Sequence, residues 1–336
     1  MKKPVYIIAE AGVNHNGELR LARRLTAAAA VAGVDAVKFQ TFKADRLVRR
    51  QAVKAAYQLQ TTDSAENQHQ MLRRLELSEN AHHDLVRLCS ELDLEFLSTP
   101  FDQESAFFLK ELGLECFKVS SGDLTNVPLL RFLAESGKRV IVSTGLAELR
   151  EVEACVDILV KAGLKTENLT LLHCTTSYPT PFEEANLLAI TTLKKEFAEI
   201  AIGFSDHTPG VEASLAAIAL GATVIEKHFT LDKNLPGPDH RASLEPDELG
   251  ALVAGIRRVE AALGDGCKKP RPVEIANLNV ARKSIVAACD IASGEMFTEN
   301  NLTVKRPGDG LSPLKWDDVL GLRAKRAFKA DENIEL

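Results

Sequence analysis

Two histidines stand at the ends of consecutive apolar runs of strand type, His207 in SDHT and His228 in EKHF. Asp206 directly precedes the first, and Glu226 lies two positions before the second. Side chains two apart in a strand point to the same face, so Glu226 and His228 would share one site. Two imidazoles with carboxylates beside them and open coordination positions suit catalytic Mn²⁺, Fe²⁺ or Zn²⁺. The alternative is that each histidine only satisfies its hydrogen bonds near a strand end.

Two lysines interrupt apolar strands, Lys38 in AVKFQ and Lys118 in CFKVSS. A lysine inside a buried strand is costly unless it meets an anion. Because hydroxyl residues lie nearby and no glycine-rich loop is present, the pair predicts a phosphate or carboxylate ligand held by point charges. The alternative is an internal ion pair, for instance with Glu10 or Glu226.

The elements that would position these residues follow one rhythm, a short β-type run and then a longer amphipathic helical pattern, eight times over. Continuous apolar strands alternating with helices indicate a parallel sheet covered on both faces, and eight such units predict a (β/α)₈ TIM barrel. No GxGxxG or Walker motif supports a nucleotide-binding fold instead. The predicted strands span 5–10, 36–40, 94–99, 116–121, 139–144, 169–175, 200–206 and 223–229.

Every predicted strand ends in polar residues, and TIM-barrel active sites are built at the C-terminal ends of the strands. The sequence therefore predicts one site shared by all eight strands. The strand-end residues are Glu10, Lys38, Gln40, Ser98, Thr99, Lys118, Ser120, Ser121, Asp123, Ser143, Thr144, His173, Thr175, Thr176, Ser205, Asp206, His207, Glu226, Lys227 and His228.

The predicted domains are a barrel over 1–264, a Gly/Lys/Pro linker over 265–279 and a small β-rich domain over 280–336. The barrel pattern is interrupted at 43–80, a polar segment longer than a normal barrel loop, which predicts a lid or a substrate-facing loop. The later part of this segment, HQMLRRLEL, has a helical pattern.

Composition excludes several classes of protein. The net charge is −6 with no basic block, so nucleic acid is not an expected partner. No apolar run is long enough to span a membrane and no signal-peptide pattern follows the first methionine, which predicts a soluble, cytoplasmic protein without membrane association. Six scattered cysteines without CxxC spacing predict free, reduced thiols.

Ten motifs in order along nearly the whole chain resemble the sialic acid synthase family. That resemblance implies a TIM barrel followed by a SAF (antifreeze-like) domain, and condensation of phosphoenolpyruvate with an N-acylated mannosamine-type sugar to a nine-carbon 2-keto acid and phosphate. The motifs are IAEAGVNHNG, AVKFQTFKAD, FLSTPFD, FKVSSGD, VSTGLA, LLHCTTSYPTPFEEANL, GFSDHT, VIEKHFTLDKNLPGPDH, ARKSIVA and TVKRPGDG.

The resemblance also implies roles for particular residues. His207 and His228 would bind a divalent metal, Mn²⁺ before Mg²⁺ or Co²⁺, Glu226 would hold a metal-bound water, and Glu10 would handle a proton. Arg306 would reach the N-acyl group from the SAF domain of the partner subunit in a domain-swapped homodimer. The residues around phosphoenolpyruvate would be Lys38, Thr99, Lys118, Ser120, Ser121, Ser143 and Ser205. Those facing the sugar would be Gln40, Tyr178 and Asp239.

The identity of the sugar rests on positions that vary in the family, Thr176 and Ser177. The first expectation is N-acetylmannosamine, giving N-acetylneuraminate. The alternative is 2,4-diacetamido-2,4,6-trideoxymannose, giving N,N′-diacetyllegionaminate, and a pseudaminate synthase is disfavoured. Asp123 departs from the glutamate of better-known bacterial members, so its role in substrate binding is open. The rival classes are a non-catalytic sugar-binding barrel, which would have lost acids or ligands at the strand ends, and a metal-dependent aldolase acting on pyruvate.

Overall fold

A computed structural model describes residues 3–63 and 65–336. The chain divides into two compact units, Met1–Gly264 and Asp265–Leu336. In the first unit eight parallel strands form a closed barrel in which β1 pairs with both β2 and β8. The predicted (β/α)₈ barrel is therefore confirmed. The strands are β1 Tyr6–Gly12, β2 Ala36–Thr41, β3 Glu95–Pro100, β4 Cys116–Val119, β5 Arg139–Ser143, β6 Leu169–His173, β7 Ala201–Asp206 and β8 Val224–His228.

Eleven described helices belong to this unit, and several begin or end where the sequence supplies a cap. Ser78, Asp102 and Asn126 each accept a hydrogen bond from a first-turn backbone N–H of the helix that follows. Gly33 ends α1 in the left-handed conformation, at φ 79°. The helices are α1 Leu19–Ala32, α2 Ala44–Leu47, α3 Ala56–Thr61, α4 Gln68–Arg74, α5 Glu79–Glu91, α6 Gln103–Glu111, α7 Val127–Glu135, α8 Leu149–Lys161, α9 Ala189–Glu196, α10 Glu212–Ala219 and α11 Pro246–Leu263.

The interior of the barrel changes character along its axis. Alternate residues of each strand face inward, and towards the N-terminal ends of the strands these are apolar and tightly buried. One step further along the strands the inward residues become charged or hydroxylic, as at Glu10, Lys38, Lys118 and Glu226. An apolar floor thus lies beneath a polar layer at the C-terminal face. The floor consists of Ile8, Ala36, Leu97, Cys116, Ile141, Leu172 and Val224.

The long segment between β2 and β3 is folded rather than open. It contains α2, α3 and α4, and Lys54 ties the stretch after α3 together by donating from Nζ to Thr62 Oγ1 at 2.8 Å. Near its end Glu76 Oε1 accepts from the backbone N–H of Ala44 at 2.8 Å, which holds the two ends of the segment side by side. The predicted loop at 43–80 is therefore a small helical insertion.

The second unit contains α12 Pro272–Ala281, the antiparallel strands β9 Ser284–Ala287 and β10 Leu302–Lys305, and α13 Trp316–Val319. Helix α12 begins inside the stretch 265–279, which the sequence predicts as a linker. Pro272 at the first helical turn and Glu274 accepting from the Arg271 backbone N–H explain its start. A separate apolar cluster, including Ile285, Phe297 and Phe328, forms the core of this unit.

Over residues 3–63 and 65–336, none of the helices combines the length and the hydrophobicity that a membrane crossing requires. All six cysteines are free thiols. Four of them are buried and two, Cys267 and Cys289, are exposed.

Candidate active site

A cavity of about 340 Å³ opens at the C-terminal face of the barrel. Most of the predicted strand-end residues and all three sugar-facing residues line it. Ser98, Asp123, Thr144, His173, Thr175, Asp206 and Lys227 do not. The sequence-predicted residues that the structure brings together here are Glu10, Lys38, Gln40, Thr99, Lys118, Ser120, Ser121, Ser143, Thr176, Tyr178, Ser205, His207, Glu226, His228 and Asp239.

Four inward side chains form a buried charge cluster at the bottom of the cavity: Glu10, Lys38, Lys118 and Glu226. Lys38 Nζ lies 2.7 Å from Glu10 Oε2 and 3.9 Å from Glu226 Oε2, and Lys118 Nζ lies 3.7 Å from Glu226 Oε1. All four side chains are at most 5% exposed. The internal ion pair that the sequence left open as an alternative is thus present. The same lysines also line the cavity, so they can face a bound anion.

The pKa values of the two carboxyl groups in this cluster are shifted in opposite directions. Burial raises the pKa of Glu10 to about 7, with Lys38 opposing and Glu226 adding to the shift. Burial also acts to raise the pKa of Glu226, but Lys118 and Lys38 together outweigh it and the pKa lies below its usual value. One carboxyl can therefore hold a proton near neutral pH while its neighbour stays ionised, a pattern typical of catalytic sites.

Hydroxyl groups surround the charge cluster. Lys38 Nζ donates to Thr99 Oγ1 at 3.0 Å, Lys118 Nζ donates to Ser143 Oγ at 2.7 Å, and Ser205 Oγ donates to Glu226 Oε1 at 3.1 Å. Lysines and hydroxyls on neighbouring strand ends are donors that an oxyanion can accept from.

The two histidines lie side by side, with ring centroids 5.3 Å apart. The carbonyl oxygen of Thr175 lies 2.7 Å from His207 Nδ1, and because a carbonyl only accepts, Nδ1 carries the proton and Nε2 keeps its lone pair. His228 Nδ1 is buried without a hydrogen-bond partner in the described structure. Burial lowers the pKa of both rings, most strongly for His228, where His207 adds to the effect. Neutral imidazoles with unshared lone pairs are the form that binds a metal.

Within residues 3–63 and 65–336, no three His, Cys, Asp or Glu side chains converge as a closed metal site. Two imidazoles would leave several coordination positions for water or substrate oxygens. That arrangement fits an open catalytic site rather than a structural one. Glu226, two residues before His228, lies beside this opening.

Two tyrosine rings pack in series on the histidine pair. The ring of Tyr178 packs on His207 with centroids 4.3 Å apart, and Tyr57 of α3 packs on Tyr178 at 5.2 Å. Asp239 borders the same part of the cavity, and burial raises the pKa of its carboxyl to about 6. Through Tyr57, the helical insertion between β2 and β3 therefore packs on the aromatic ring that contacts His207.

Two residues with a predicted role in substrate binding, Asp123 and Arg306, lie elsewhere. Asp123 does not line the cavity; its carboxylate accepts from Ser120 Oγ at 2.9 Å and from Asn126 Nδ2 at 3.0 Å. Strand β4 ends at Val119, and Ser121–Asp123 form a 3₁₀ turn. In this turn Asp123 stabilises the position of Ser120, which lines the cavity, without lining it itself. Arg306 belongs to the second unit, where it is exposed and its Nε donates to Ala281 O at 3.0 Å.

The insertion contributes cavity residues that the sequence analysis missed. They are Leu47, Val48, Tyr57, Gln58, Gln68, Met71, Leu72 and Leu75. Their signal in the sequence is the i, i+3, i+4, i+7 spacing of Gln68, Met71, Leu72 and Leu75, which places them on one face of a helix. The helical pattern of HQMLRRLEL predicts this helix, but the sequence pattern does not show that the face lines the cavity.

Fold and site together define a (β/α)₈-barrel enzyme followed by a SAF domain. The model of the NeuB family matches residues 25–268, and that of the SAF domain matches residues 282–335. The chain belongs to the NeuB family.

Similar proteins include two named N,N′-diacetyllegionaminic acid synthase. That of Campylobacter jejuni is 53% identical and covers 99% of each chain; that of Legionella pneumophila is 45% identical over 97% of this chain and 92% of the relative. The N-acetylneuraminate-9-phosphate synthase of Mus musculus is 37% identical over 97% of this chain and 89% of that protein. The crystal structure of N-acetylneuraminic acid (sialic acid) synthetase from Leptospira borgpetersenii matches with a TM-score of 0.72 at 37% identity, covering 82% of this chain and 90% of that one.

Proposed function

We propose that this enzyme condenses phosphoenolpyruvate with 2,4-diacetamido-2,4,6-trideoxymannose and water, giving N,N′-diacetyllegionaminate and phosphate. The observation that carries the choice of sugar is the 53% identity, over 99% of both chains, to a relative named for that product. The mouse relative named for an N-acetylneuraminate phosphate product is 37% identical. This reverses the order of the two sugars expected from the sequence, because N-acetylmannosamine was placed first there.

The buried charge cluster and its hydroxyls support a phosphoenolpyruvate site. Lys38 and Lys118 provide positive charge below the opening, and Thr99, Ser143 and Ser205 provide short hydroxyl contacts around them. In a water-poor pocket such donors hold phosphate and carboxylate far more strongly than they would in bulk water. Bound there, phosphoenolpyruvate would place its enol carbon towards the histidine pair.

We propose that His207 and His228 hold a divalent cation, Mn²⁺ by the family resemblance. The free Nε2 of His207, the unpartnered Nδ1 of His228 and the low pKa of both rings support this assignment. When bound, the ion supplies Lewis-acid polarisation of the aldehyde oxygen. The orientation of the His207 ring is set by Thr175 O and by the packing of Tyr178, and Tyr178 meets the His228 ring edge-on at a centroid distance of 5.6 Å.

The chain's own groups then account for the remaining steps. The enol carbon of phosphoenolpyruvate bonds to the aldehyde carbon, water adds to the neighbouring carbon, and phosphate leaves with cleavage of the C–O bond. Glu10, with a pKa of about 7, would transfer a proton between the adding water and the aldehyde oxygen that becomes a hydroxyl, while Glu226 stays ionised to orient that water. Gln40 Nε2 donates to Glu10 Oε1 at 3.3 Å and fixes that carboxyl in place.

We infer that the working form is a homodimer in which Arg306 of one chain binds the N-acyl group of the sugar held by another. The family resemblance supports this arrangement, together with the exposed position of Arg306 in the second unit. A guanidinium suits an acyl oxygen because it presents several fixed donors.

Phosphate release tests the reaction and the sugar together. Purified protein with phosphoenolpyruvate and Mn²⁺ should release phosphate when 2,4-diacetamido-2,4,6-trideoxymannose is added, with a kcat/KM above that for N-acetylmannosamine. Product formation from pyruvate without phosphate release, or no sugar-dependent phosphate release with any divalent ion, would exclude the proposed reaction. A higher kcat/KM for N-acetylmannosamine would exclude the proposed sugar.

The metal assignment has its own measurement. Binding of Mn²⁺, followed by the loss of the free-ion electron paramagnetic resonance signal, should weaken at least tenfold in the His228→Ala variant. The His173→Ala variant is the matched control, because His173 bonds to Ala185 O and does not line the cavity. Equal Mn²⁺ binding by wild type and His228→Ala would remove His228 from the metal site.

A further inference from the structure

The residues that line the cavity above the charge cluster form two chemically different groups. One group, here called the hydroxyl side, consists of Ser120, Ser121, Ser143 and Thr176, from the ends of β4, β5 and β6. The other group comes from the insertion, whose contribution is mainly apolar. A substrate pair with one highly charged member and one mostly neutral member can be sorted by such a division.

The apolar side is organised by one face of α4, here called the α4 face: Gln68, Met71, Leu72 and Leu75. Met71 and Leu75 are 1% and 7% exposed and pack with Val13 and Phe42, which fixes the helix to the barrel. Leu72 is only half-buried and lines the cavity. Leu47 and Val48, also half-buried, extend the same apolar surface.

The position of the α4 face determines which part of a substrate can meet it. Positive charge is concentrated in Lys38 and Lys118 at the bottom, and the serine and threonine hydroxyls that line the cavity come from the strand ends rather than from the insertion. Phosphate and carboxylate groups belong with those donors because burial against leucine would leave their charge unpaired. The aldehyde end of the sugar belongs at the histidine pair, so its far end is left to the α4 face.

We propose that the α4 face selects the sugar by its far end, with Leu72 against the C6 methyl group and the Gln68 carboxamide bonded to the 4-acylamino group. This inference rests on the proposed function and names the residues that would decide between its two sugars. A carboxamide can donate to the acyl oxygen or accept from the amide N–H. The leucine surface accepts a methyl group without leaving any polar atom unpaired.

N-acetylmannosamine would meet the same surface with hydroxyls at both positions. A hydroxyl buried against Leu72 loses its hydrogen bonds to water and gains none in return. Sites that discriminate single small groups in this way reach roughly 10- to 200-fold in kcat/KM. The preference is therefore expected within that range.

The test compares kcat/KM for the two sugars in full-length variants, with phosphate release as the readout. Leu72→Gln should lower the ratio of the trideoxy sugar to N-acetylmannosamine at least tenfold. Gln68→Leu should lower kcat/KM about three- to tenfold for the trideoxy sugar, and leave that for N-acetylmannosamine within twofold. Leu59→Gln, an exposed leucine of α3 that does not line the cavity, is the matched control and should leave the ratio unchanged. Leu72→Met should also preserve the ratio.

The outcomes of this experiment distinguish a failure of the α4 face as the selecting surface from a failure of the proposed sugar. Wild type favouring the trideoxy sugar, with a ratio that Leu72→Gln and Gln68→Leu leave within twofold, would overturn the role of the α4 face and leave the proposed function standing. Wild type favouring N-acetylmannosamine would overturn the proposed sugar and with it this selection. A ratio that also collapses in Leu59→Gln would show that any polar change in the insertion suffices, and would overturn the specific contacts.

Discussion

At the scale of single residues, the site depends on close approaches that glycine permits. A Cβ on Gly12, at φ 53°, would lie 3.2 Å from Glu10 Oε1 and 3.5 Å from Gln40 Nε2. The register of the pairing between β1 and β2 shifts between Glu10 and Gly12, so the strand is irregular next to the Glu10 carboxyl group. The position and environment of Glu10 thus depend on its neighbour having no side chain.

Gly145, after β5, stands in a tighter place on the hydroxyl side. A Cβ there would meet Thr176 Oγ1 at 2.5 Å, and Cys174 Sγ and Ser121 Oγ at 2.9 Å. Its backbone N–H donates to Ser121 Oγ at 3.0 Å, so displacement would also move that serine. Gly145→Ala should raise the KM for phosphoenolpyruvate about tenfold or more, as expected for 1–3 kcal/mol of overpacking.

Steady-state kinetics at saturating sugar would measure that effect. Gly122→Ala is the control, because a Cβ there meets only Ser120 Oγ, at 3.7 Å. An unchanged KM for phosphoenolpyruvate in Gly145→Ala would mean that the hydroxyl side does not hold this substrate.

His15 links the barrel's stability to pH. Burial lowers its pKa to about 3, and its Nδ1 accepts from the Gly17 backbone N–H at 3.0 Å, a bond that a protonated ring cannot make. The folded state therefore favours neutral His15, whereas the unfolded chain takes up a proton below about pH 6.5. The resulting stability is complete above pH 6.5 and is lost progressively as the pH falls towards 3.

Urea unfolding of the barrel at pH 7 and pH 5 would measure this loss. Wild type should lose about 2 kcal/mol more than His15→Asn between these values, from 1.36 kcal/mol per pH unit over the 1.5 units below pH 6.5. Equal losses in the two proteins would show that His15 is not held neutral.

At the scale of elements, the eight strands were predictable because each is a short apolar run bounded by turn residues. Closure places their ends in one ring, so the polar residues after those runs identified the cavity. The α4 face was not predictable in the same way. Its short helix lies in a polar stretch, and only packing against Val13 and Phe42 shows which side faces inward. The position of Asp123 outside the cavity was not predictable either, because it depends on the 3₁₀ turn that follows β4.

Strands β7 and β8, at whose C-terminal ends the two histidines lie, are joined by a fully buried ion pair. Lys227 Nζ lies 2.8 Å from Asp206 Oδ2 with both side chains 0% exposed, and Asp206 also accepts from Thr208 and Ser214. Removal of one member leaves the other buried without its counter-charge. Lys227→Met should therefore lower the free energy of unfolding by about 3–5 kcal/mol.

Chemical denaturation followed by circular dichroism would measure this loss in the free energy of unfolding. Lys161→Met is the control, since Lys161 and Asp157 form an exposed pair on α8, where the expected change is below about 1 kcal/mol. A Lys227→Met protein as stable as wild type would mean that Asp206 is satisfied by its hydroxyl and backbone donors alone.

At the scale of the whole molecule, the barrel contributes the charge cluster, the histidine pair and the α4 face, whereas the proposed contact to the N-acyl group comes from a second chain. Sequence could suggest this only through the family resemblance, because no local pattern reveals which chain supplies Arg306. Arg306→Ala should raise the KM for the sugar about tenfold or more, from the loss of charge-assisted hydrogen bonds. Lys325→Ala, an exposed cation in the same unit, should leave it unchanged.

Subunit complementation tests whether the site is shared. Arg306→Ala and His207→Ala proteins should each be impaired, but hybrid dimers would contain one site with His207 and Arg306 both intact. After complete exchange, half of the dimers are hybrids with one working site of two, so turnover should recover to roughly a quarter of the wild-type value. Exchange would be verified with differently tagged chains. Recovery requires that Arg306 acts across the dimer, because a site built within one chain would lack either the histidine or the arginine in every hybrid. Verified exchange without recovered phosphate release would therefore assign the whole site to a single chain.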